Sequence, residues 1–538
     1  MEQENTQNSK GIMKIPSFLI ISFLTIFAIG PQYFANLSYT MNQEIVQNGL
    51  SLGSQQLLIP STLSNIAFAL GVPLGPVITR ALGVRKNYLT FILLFLCGSL
   101  INLFAPNLVI LVIGRIIQSV SAGILFLTML PVSLKSFPNN IRNTYLFFII
   151  TGLFGATAAG AFFGSLSLDV DAWRWLFLLN VISALLCLII GFFALPKIVE
   201  EHEHPPIDKT GLFLLILLMI VLSIPLCNLM NKGFTSYYVW PFLVIAMILL
   251  VLFILVDVKA ETPIVPFRTL KAAKPISGTV MAVASHILLV LALAGINGFL
   301  RHNKDLPVHY LLIFYCCFFV GIVFTAIFKT LFYGALGAGK LGIIGSLAVM
   351  FVSWKWRTMT PAVSLPVLYV EIALLGAGVS MVLVSGALGT AFAGNLHFAS
   401  MRSGTLHTIR NFTGAVVTPI VAWFISTQNH IQYENIRGHL GEFDSETNAE
   451  LVNLTRRFVS MGLPVKDAQS MTSYELIANT KKSAILMAYH NLFTIMFGVG
   501  VIMLAASIVK MATGKGIGLV KKEKKVKRSD KKITEPTA

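Results

Sequence analysis

Long apolar runs alternate with short polar segments along almost the whole chain. Fourteen of these runs approach about 20 residues, the length of a helix that crosses the hydrocarbon core of a bilayer. They cover approximately residues 15–36, 57–78, 88–105, 107–131, 144–167, 173–195, 211–230, 237–256, 276–299, 307–328, 337–353, 362–386, 403–426 and 484–509. The pattern predicts an all-α polytopic membrane protein with 14 transmembrane helices, arranged as six, two and six.

The spans divide the chain into five predicted segments. These are a cytoplasmic N-terminus (1–14), a six-helix bundle (15–196), a two-helix insert with flanking loops (197–275), a second six-helix bundle (276–510) with an extracytoplasmic loop (427–483), and a basic cytoplasmic tail (511–538). The loops that this topology places inside carry most of the Lys and Arg of the short loops, as the positive-inside rule requires. We therefore predict a multi-pass protein of the cell (inner) membrane with both termini in the cytoplasm.

Composition supports a membrane protein and argues against several other classes. Of the 538 residues, 55% are hydrophobic and only 12% are charged, whereas a soluble protein carries about a quarter charged residues. The net charge of +17 is attributed largely to the membrane edges, where basic residues meet membrane lipids, and not to nucleic-acid binding. The sequence shows no nucleotide-binding loop, metal-ligand spacing or clustered nucleophile, so we predict no enzyme, no cofactor and no metal site.

The stretch 110–180 carries the strongest local signals. Arg115 lies inside an apolar run of bilayer length, where a charge costs roughly 2.5–3.5 kcal/mol on insertion scales, so it is expected to have a task. In the following span, Gly155, Gly160 and Gly164 are small residues near helical spacing, which allows two helix backbones to approach closely. The combination indicates helices that move against one another in a membrane.

Several motifs in the chain resemble those of a known family. Residues 115–123 (RIIQSVSAG) resemble its fourth-helix motif, 160–165 (GAFFGS) its fifth-helix antiporter motif and 173–180 its sixth-helix entry. Residues 403–414 and 484–493 resemble the starts of its last two spans. The family is the major facilitator superfamily, and within it the fourteen-span drug:proton antiporters of the multidrug and antiseptic exporter type. The resemblance runs nearly end to end and implies the major facilitator fold and transport by alternating access.

Departures from the family pattern concern mainly acidic residues. The loop that resembles the family's gate motif lacks its aspartate, and its candidate gate residues are Arg80, Gly83, Arg85 and Lys86. Ala35, beside Asn36, stands where many members carry a first-span aspartate, and Ser119 replaces a usual glycine of the fourth-helix motif. The missing carboxylates put standard proton coupling in doubt and argue against a dicationic substrate held by several acids.

The resemblance implies that spans 1, 4, 9 and 12 line the substrate cavity. The candidate cavity residues on these spans are Gln32, Tyr33, Asn36, Gln118 and Asn297. The candidates for proton coupling are Glu371, Arg115 and His286, because ionisable groups inside a membrane are commonly parts of proton pathways. Glu371 is the one carboxylate that we place at bilayer depth, away from span ends. Arg115 and Gln118 are three residues apart and are expected on one helix face. For Glu371, Arg115 and His286, a structural role between neighbouring helices is the competing interpretation.

The leading functional prediction is a secondary transporter that exports small amphipathic or hydrophobic compounds, such as drugs and antiseptics, in exchange for protons. One alternative is a dedicated exporter of a lipid or metabolite. Another is a non-transporting membrane sensor or scaffold that uses segment 427–483 to bind a partner. A membrane-fusion adaptor protein is an open candidate partner for an exporter.

Overall fold

The computed structural model describes residues 15–41, 43–53, 56, 58–169, 172–195, 208–439 and 445–514. The predicted N-terminal segment 1–14, the polar stretch 196–207 and the basic tail from residue 515 lie outside the described residues. Within the described ranges, every regular element is a helix. The prediction of an all-α protein is therefore confirmed for this part of the chain.

The helices follow one another in a simple order. The α-helices are α1 (Ser17–Met41), α2 (Gln43–Leu50), α3 (Ile59–Leu103), α4 (Leu108–Ser136), α5 (Thr144–Asp169), α6 (Trp175–Ala194), α7 (Lys209–Lys232), α8 (Trp240–Lys259), α9 (Ala273–His302), α10 (Val308–Trp356), α11 (Leu365–Ala391), α12 (Ala399–His439), α13 (Ser445–Ser460) and α14 (Val465–Ala512). Short 3₁₀ turns lie at Asn139–Ile141, Phe267–Leu270 and Leu396–Phe398.

Twelve of the described helices are long and apolar enough to cross a membrane, and α2 and α13 are not among them. Two of the twelve, α3 and α10, contain 45 and 49 residues. At about 1.5 Å per residue each follows a path of roughly 70 Å, more than twice the thickness of a hydrocarbon core. Each of these two helices contains two of the apolar runs identified in the sequence.

A glycine bends each of the two long helices at a matching position. Gly83 in α3 has φ 75° and ψ 161°, and Gly337 in α10 has φ 72° and ψ 172°. This region of backbone conformation is accessible essentially to glycine alone. The flanking sequences also match, since 81–86 reads ALGVRK and 335–340 reads ALGAGK. The same local sequence thus forms the same turn twice, as expected of an internal repeat.

The spans pack in two groups. The first group consists of α1 and α3–α6, and the second consists of α9–α12 and α14. The groups meet along two seams, one between α5 and α10 and one between α3 and α12. The pair α7–α8 packs together, and α7 contacts both α3 and α12, so the pair lies against the second seam.

Contacts between helix ends define two faces of the protein. At the near face, where α1 begins, the rings of Phe18 and Phe137 lie 4.9 Å apart, which places the end of α4 beside the start of α1. At the far face, where α1 ends, Arg174 Nη2 donates to Ala105 O at 2.9 Å, which joins the start of α6 to the α3–α4 connection. Sequence analysis predicts the near face to be cytoplasmic.

Segment 427–483, expected as a loop, is largely helical in its described part. Helix α12 continues to His439, α13 covers 445–460, and α14 begins at Val465. The Oγ1 atoms of Thr455 and Thr472 lie 3.0 Å apart, which joins α13 to the first turns of α14. The polar segment therefore extends the last two spans beyond the far face as a helical projection.

Glycines set the distance between α3 and α4. A Cβ added at Gly71 would overlap Val120 O, and one added at Gly75 would overlap Ile124 O. From the other helix, a Cβ at Gly123 would overlap Phe68 O. The two backbones are in direct contact, which is the packing that small residues permit in membranes.

Candidate functional site

Arg115 lies on α4 and is 0% exposed. Its Nη2 donates to Asn36 Oδ1 on α1 at 2.6 Å, and its guanidinium carbon lies 5.7 Å from the centroid of the Tyr39 ring. Nε and Nη1 have no hydrogen-bond partner. Among the described residues no carboxylate forms an ion pair with Arg115. A neutral amide oxygen and an aromatic face therefore stabilise this buried cation.

Three fully buried polar side chains, those of Gln32, Ser64 and Ser119, form a hydrogen-bonded network near Arg115. Gln32 Nε2 donates to Ser64 Oγ, and Ser119 Oγ donates to Gln32 Oε1, each at 3.1 Å. The Oγ atoms of Ser64 and Ser119 lie 2.6 Å apart. This network joins α1, α3 and α4. The contacts of Ser119 explain why a serine occupies position 119, where the family's fourth-helix motif has glycine.

Gln118 contributes to a different contact. Its Oε1 accepts from Asn102 Nδ2 at 3.1 Å, and its Nε2 donates to Ser99 Oγ at 3.3 Å, both within the α3–α4 pair. Arg115 instead reaches α1. The two side chains thus contact different helices despite their spacing along α4.

The predicted cavity residues of α9 are divided between two neighbours. Asn297 Nδ2 donates to Tyr315 Oη on α10 at 2.6 Å. His286 packs against α12, where a Cβ added at Gly414 would overlap its Nε2. Asn297 therefore lies inside the second group, while His286 faces the helix that forms the second seam.

Glu371 is buried near the far-face end of α11, 6% exposed and six residues after Leu365 begins the helix. Six residues of α-helix correspond to about 9 Å along the axis of α11, measured from its far-face end. Its Oε1 lies 2.8 Å from Lys355 Nζ, and its Oε2 accepts from Trp356 Nε1 at 2.8 Å. The carboxylate is thus held by the last residues of α10 and does not contact Arg115.

Arg410 occupies a central position that sequence analysis did not assign to it. It lies on α12, is 7% exposed, and its guanidinium carbon is 5.6 Å from the centroid of the Phe126 ring on α4. Tyr33 of α1 and His286 of α9 both lie within electrostatic range of it. The structure thus brings two predicted residues, Tyr33 and His286, to a cation between the two groups.

Lys329 is a second buried cation that sequence analysis did not identify. It lies on α10, is 0% exposed, and its Nζ donates to Ser380 O on α11. The predicted span ended at residue 328, one position before it. The apolar run on both sides of this lysine could have revealed it, because the helix continues without a break to the Gly337 turn.

Other buried cations stabilise a helix end. Arg402 Nε donates to Thr390 O and Ala391 O at 3.1 Å each, and Lys510 Nζ donates to Gly389 O at 2.7 Å. These carbonyls belong to the last turn of α11, which carries unsatisfied acceptors and the negative end of the helix dipole. These carbonyls therefore stabilise the charges of Arg402 and Lys510. Arg115 and Arg410 have no such helix end as a partner among the described residues.

The candidate gate residues surround the Gly83 turn at the near face. Arg85 Nη2 donates to Phe192 O at 2.6 Å, whereas Arg80 and Lys86 are exposed. Hydrogen bonds between uncharged side chains stabilise the turn. Asn87 Nδ2 donates to Thr79 Oγ1 at 2.6 Å and to Thr128 Oγ1 at 2.9 Å. Both arms of α3 are thereby joined to α4 without a carboxylate.

The glycines of α5 face two different neighbours. A Cβ at Gly160 would lie 2.7 Å from Phe34 O of α1, within the first group. A Cβ at Gly155 would lie 3.4 Å from the Phe319 ring of α10, across the first seam. Gly164 is buried further along the same helix. Helix α5 is therefore packed tightly on one side and faces the second group on the other.

Comparison with known proteins agrees with this architecture. The sequence model described as the Major Facilitator Superfamily matches residues 18–422. The uncharacterized MFS-type transporter YubD of Bacillus subtilis (strain 168) is 26% identical over 521 residues, which cover 95% of this chain and 91% of YubD. The quinolone resistance protein NorB of Staphylococcus aureus (strain MRSA252) is 30% identical over 203 residues, but these cover only 37% of this chain and 42% of NorB.

Solved structures show the same fold. A peptide transporter POT in complex with sulfate superposes with a TM-score of 0.57 at 13% identity, covering 94% of this chain and 97% of the other. With the family match over most of the chain and the apolar helices described above, this chain belongs to the major facilitator superfamily and is a multi-pass membrane transporter, not an enzyme.

Proposed function

We propose that the protein is a proton-coupled secondary exporter of amphipathic compounds, built from 14 spans arranged as six, two and six. The length of α3 and α10 supports the span number, since each is about twice as long as one crossing requires and each bends at a glycine. Helices α7 and α8 are then the two-span insert. With an even number of spans both termini lie on one side, and the Lys and Arg bias of the loops supports the cytoplasm of a cell with the protein in its inner membrane as that side.

The observation that carries the proposal is two sets of buried polar groups, one inside the first group and one between the two groups. Gln32, Asn36 and Arg115 form one network, and Tyr33 and His286 lie with Arg410. Buried polar and charged groups inside a membrane mark substrate or ion pathways. A substrate that enters between the groups meets the second set, and a change in seam contacts exposes it to one face or the other.

The α5–α10 seam supports alternating access. Gly155 has no side chain there, so the α5 backbone can approach the Phe319 ring of α10 closely at this position. Gly160, by contrast, holds α5 against α1 inside its own group. This division is the arrangement that rigid-body rocking of two helix groups requires.

Export is supported by the partial similarity to NorB, whose name describes quinolone resistance. For proton coupling, Glu371 and His286 remain the proposed proton carriers, and Arg115 remains a candidate that contacts Asn36 and not Glu371 in this conformation. A membrane-fusion adaptor stays a prediction from the family resemblance.

The test is transport in inside-out membrane vesicles prepared from cells with and without the protein. A panel of cationic, neutral and anionic amphipathic dyes is added, and an imposed proton gradient is collapsed with a protonophore. We expect gradient-dependent uptake of at least one dye only in vesicles containing the protein. Uptake that ignores the protonophore would contradict proton coupling. The absence of uptake across all three charge classes would favour a dedicated exporter or a sensor.

A further inference from the structure

Arg410 lies where three helices of both groups converge on α12. The Phe126 ring of α4 packs on its guanidinium, and Tyr33 of α1 and His286 of α9 face it. The ring of His407, one turn earlier on α12, lies 5.1 Å from the Phe126 ring. These five residues and Asn411, which accepts a hydrogen bond from Arg410, form the Arg410 cluster, which spans the interface between the two groups.

The Arg410 cluster contains buried polar atoms without partners. Arg410 Nη2 donates to Asn411 Oδ1 at 3.3 Å, but Arg410 Nε has no partner. Asn411 Nδ2 and His407 Nδ1 are also unpartnered, although both residues are less than one-tenth exposed. Leaving such atoms unpaired is costly, since a buried donor loses its bonds to water without gaining others. Two of the three atoms, Arg410 Nε and Asn411 Nδ2, are hydrogen-bond donors, so a ligand that supplies an acceptor would satisfy them.

The cluster also lacks a counter-charge. Helices α1, α3, α4, α9 and α10 contain no Asp or Glu at any position. Glu371 on α11 is held by Lys355 at the far-face end. Among the described residues no carboxylate forms an ion pair with Arg410. Among the described residues Arg115 also lacks a carboxylate partner, so the positive charge at the centre of the protein has no ion-pair partner in this part of the chain.

Aromatic rings extend from the cluster into the first group. The rings of Tyr33 and Phe68 lie 6.2 Å apart, and those of Phe68 and Phe126 lie 5.9 Å apart. With His407 they form a continuous edge-to-face series. Such a surface suits a flat apolar body, while the guanidinium suits a carboxylate, whose two oxygens match its donors.

We propose that the Arg410 cluster is the substrate-binding site and that it takes an amphipathic aromatic carboxylate. This rests on the proposed transport function and specifies the charge of the substrate. Arg410 binds the carboxylate, Asn411 and Tyr33 add hydrogen bonds, and the Phe68–Phe126 pair packs on the ring system. Because the unpartnered atoms are closed to solvent in this conformation, the substrate reaches them when a seam opens.

The experiment measures equilibrium binding to purified protein with three probes that share one ring system. These are radiolabelled 1-naphthylacetate, its neutral amide and a naphthylmethyl trimethylammonium cation. The variants are Arg410→Gln, Arg410→Lys and Tyr33→Phe. The matched control is Arg437→Gln on the same helix, whose side chain is 67% exposed and pairs with Glu434 at the surface. Thermal unfolding of each variant shows that it remains folded.

We expect the wild type to bind the carboxylate at least about tenfold more tightly than the amide, because a hydrogen bond to a charged group changes a Kd by roughly 10- to 100-fold. Arg410→Gln should remove this preference, Arg410→Lys should restore part of it, and Arg437→Gln should leave it intact. Tyr33→Phe should weaken carboxylate binding by a smaller factor.

Preference for the cation or the amide in the wild type, or an undiminished carboxylate preference in folded Arg410→Gln, would overturn the assignment of substrate charge. Neither result bears on whether the protein transports, since the vesicle panel includes cationic and neutral dyes. Failure of all three probes to bind would also overturn the proposed aromatic carboxylate class. Conversely, carboxylate binding without vesicle uptake would retain the site and contradict the proposed exporter.

Discussion

Lys355 Nζ and Glu371 Oε1 lie 2.8 Å apart at the far-face end of the α10–α11 pair. The lysine side chain is 46% exposed, whereas the carboxylate side chain is 7% exposed. The buried carboxylate of Glu371 is thus connected to the protein surface by the partly exposed side chain of Lys355. Two roles are consistent with this geometry, a static ion pair and a proton carrier with access to the far side.

The first prediction separates these roles. Glu371→Gln keeps an acceptor for Trp356 Nε1 but cannot ionise, so it should abolish gradient-driven export while leaving expression unchanged. Lys355→Met removes only the ion-pair partner and should retain export with an altered pH dependence. Both variants are compared by vesicle uptake over a pH series. Equal residual activity in the two would show that Glu371 acts through the ion pair, and His286 would become the next candidate carrier.

The second prediction concerns the two sides of α5. Gly155→Leu should fill the space before Phe319 and lock the first seam, giving a folded protein with little transport. Gly160→Leu meets backbone atoms of Phe34, which cannot yield, so it should lower the unfolding temperature as well as transport. Gly498→Leu is the control, because an added Cβ there has nothing within 4 Å. Normal transport by Gly155→Leu would remove the basis for a moving seam.

The third prediction isolates backbone conformation at the Gly83 turn. A Cβ at Gly83 would touch nothing within 4 Å, so Gly83→Ala acts through its φ of +75° and not through a steric clash with other residues. It should destabilise the protein by about 1–3 kcal/mol. Gly334→Ala, also in open space but without a positive φ, should stabilise by roughly 0.5–1 kcal/mol, as alanine does in a helix. Thermal unfolding in detergent measures both, and effects of equal sign would contradict the proposed strain.

The fourth prediction tests the membrane topology. In a background without the five native cysteines, single cysteines are placed at Lys86 by the near-face turn and at Ser473 on the far-face projection, both exposed positions. An impermeant thiol reagent added to intact cells should label the Ser473 position and not the Lys86 position. Permeabilised cells should label both. The reverse order in intact cells would place the near face outside.

The sequence predicted those features that depend on residues close together in the chain. Bilayer-length apolar runs predicted the helices, and the charge of Arg115 and the glycines of α5 directed attention to buried contacts. The tertiary partners were less accessible. Lys355 precedes Glu371 by 16 residues and meets it only because α10 and α11 pack as a pair.

The importance of Arg410 escaped prediction for a related reason. It lies seven residues into the predicted span 403–426, and no functional role was predicted for it. Helix α12 contacts α3, α7, α9, α11 and α14, so hydrophobic periodicity does not reveal which of its faces meets the first group. Only the packing of Phe126 on its guanidinium shows that it lies between the groups.

The last prediction concerns Asn36, the residue beside the missing first-span aspartate. Its Oδ1 accepts from Arg115 Nη2 at 2.6 Å, from Ser64 Oγ at 3.4 Å and from Gln32 Nε2 at 3.5 Å. One amide oxygen thus receives three donors, one of them charged. Its Nδ2 donates to Asn65 Oδ1 at 3.1 Å, and the Asn65 amide can turn to donate instead. The site is therefore suited to a carboxylate in place of the amide.

Asn36→Asp should raise the free energy of unfolding by on the order of 1 kcal/mol, because a charge-assisted hydrogen bond is about twice as strong as a neutral one. Asn36→Leu should lower it by about 3 kcal/mol, since the buried Arg115 then loses its only hydrogen bond to a described residue. The substitution Asn65→Asp, whose carboxylate would accept from Asn36 Nδ2 and not from Arg115, is the matched control and should stabilise less. Asn36→Asp should also weaken carboxylate binding at Arg410, because it lowers the positive charge of the centre by one. If Asn36→Asp unfolds at a lower temperature than the wild type, the cost of burying the new carboxylate exceeds what its pair with Arg115 contributes, and the site is not suited to a carboxylate.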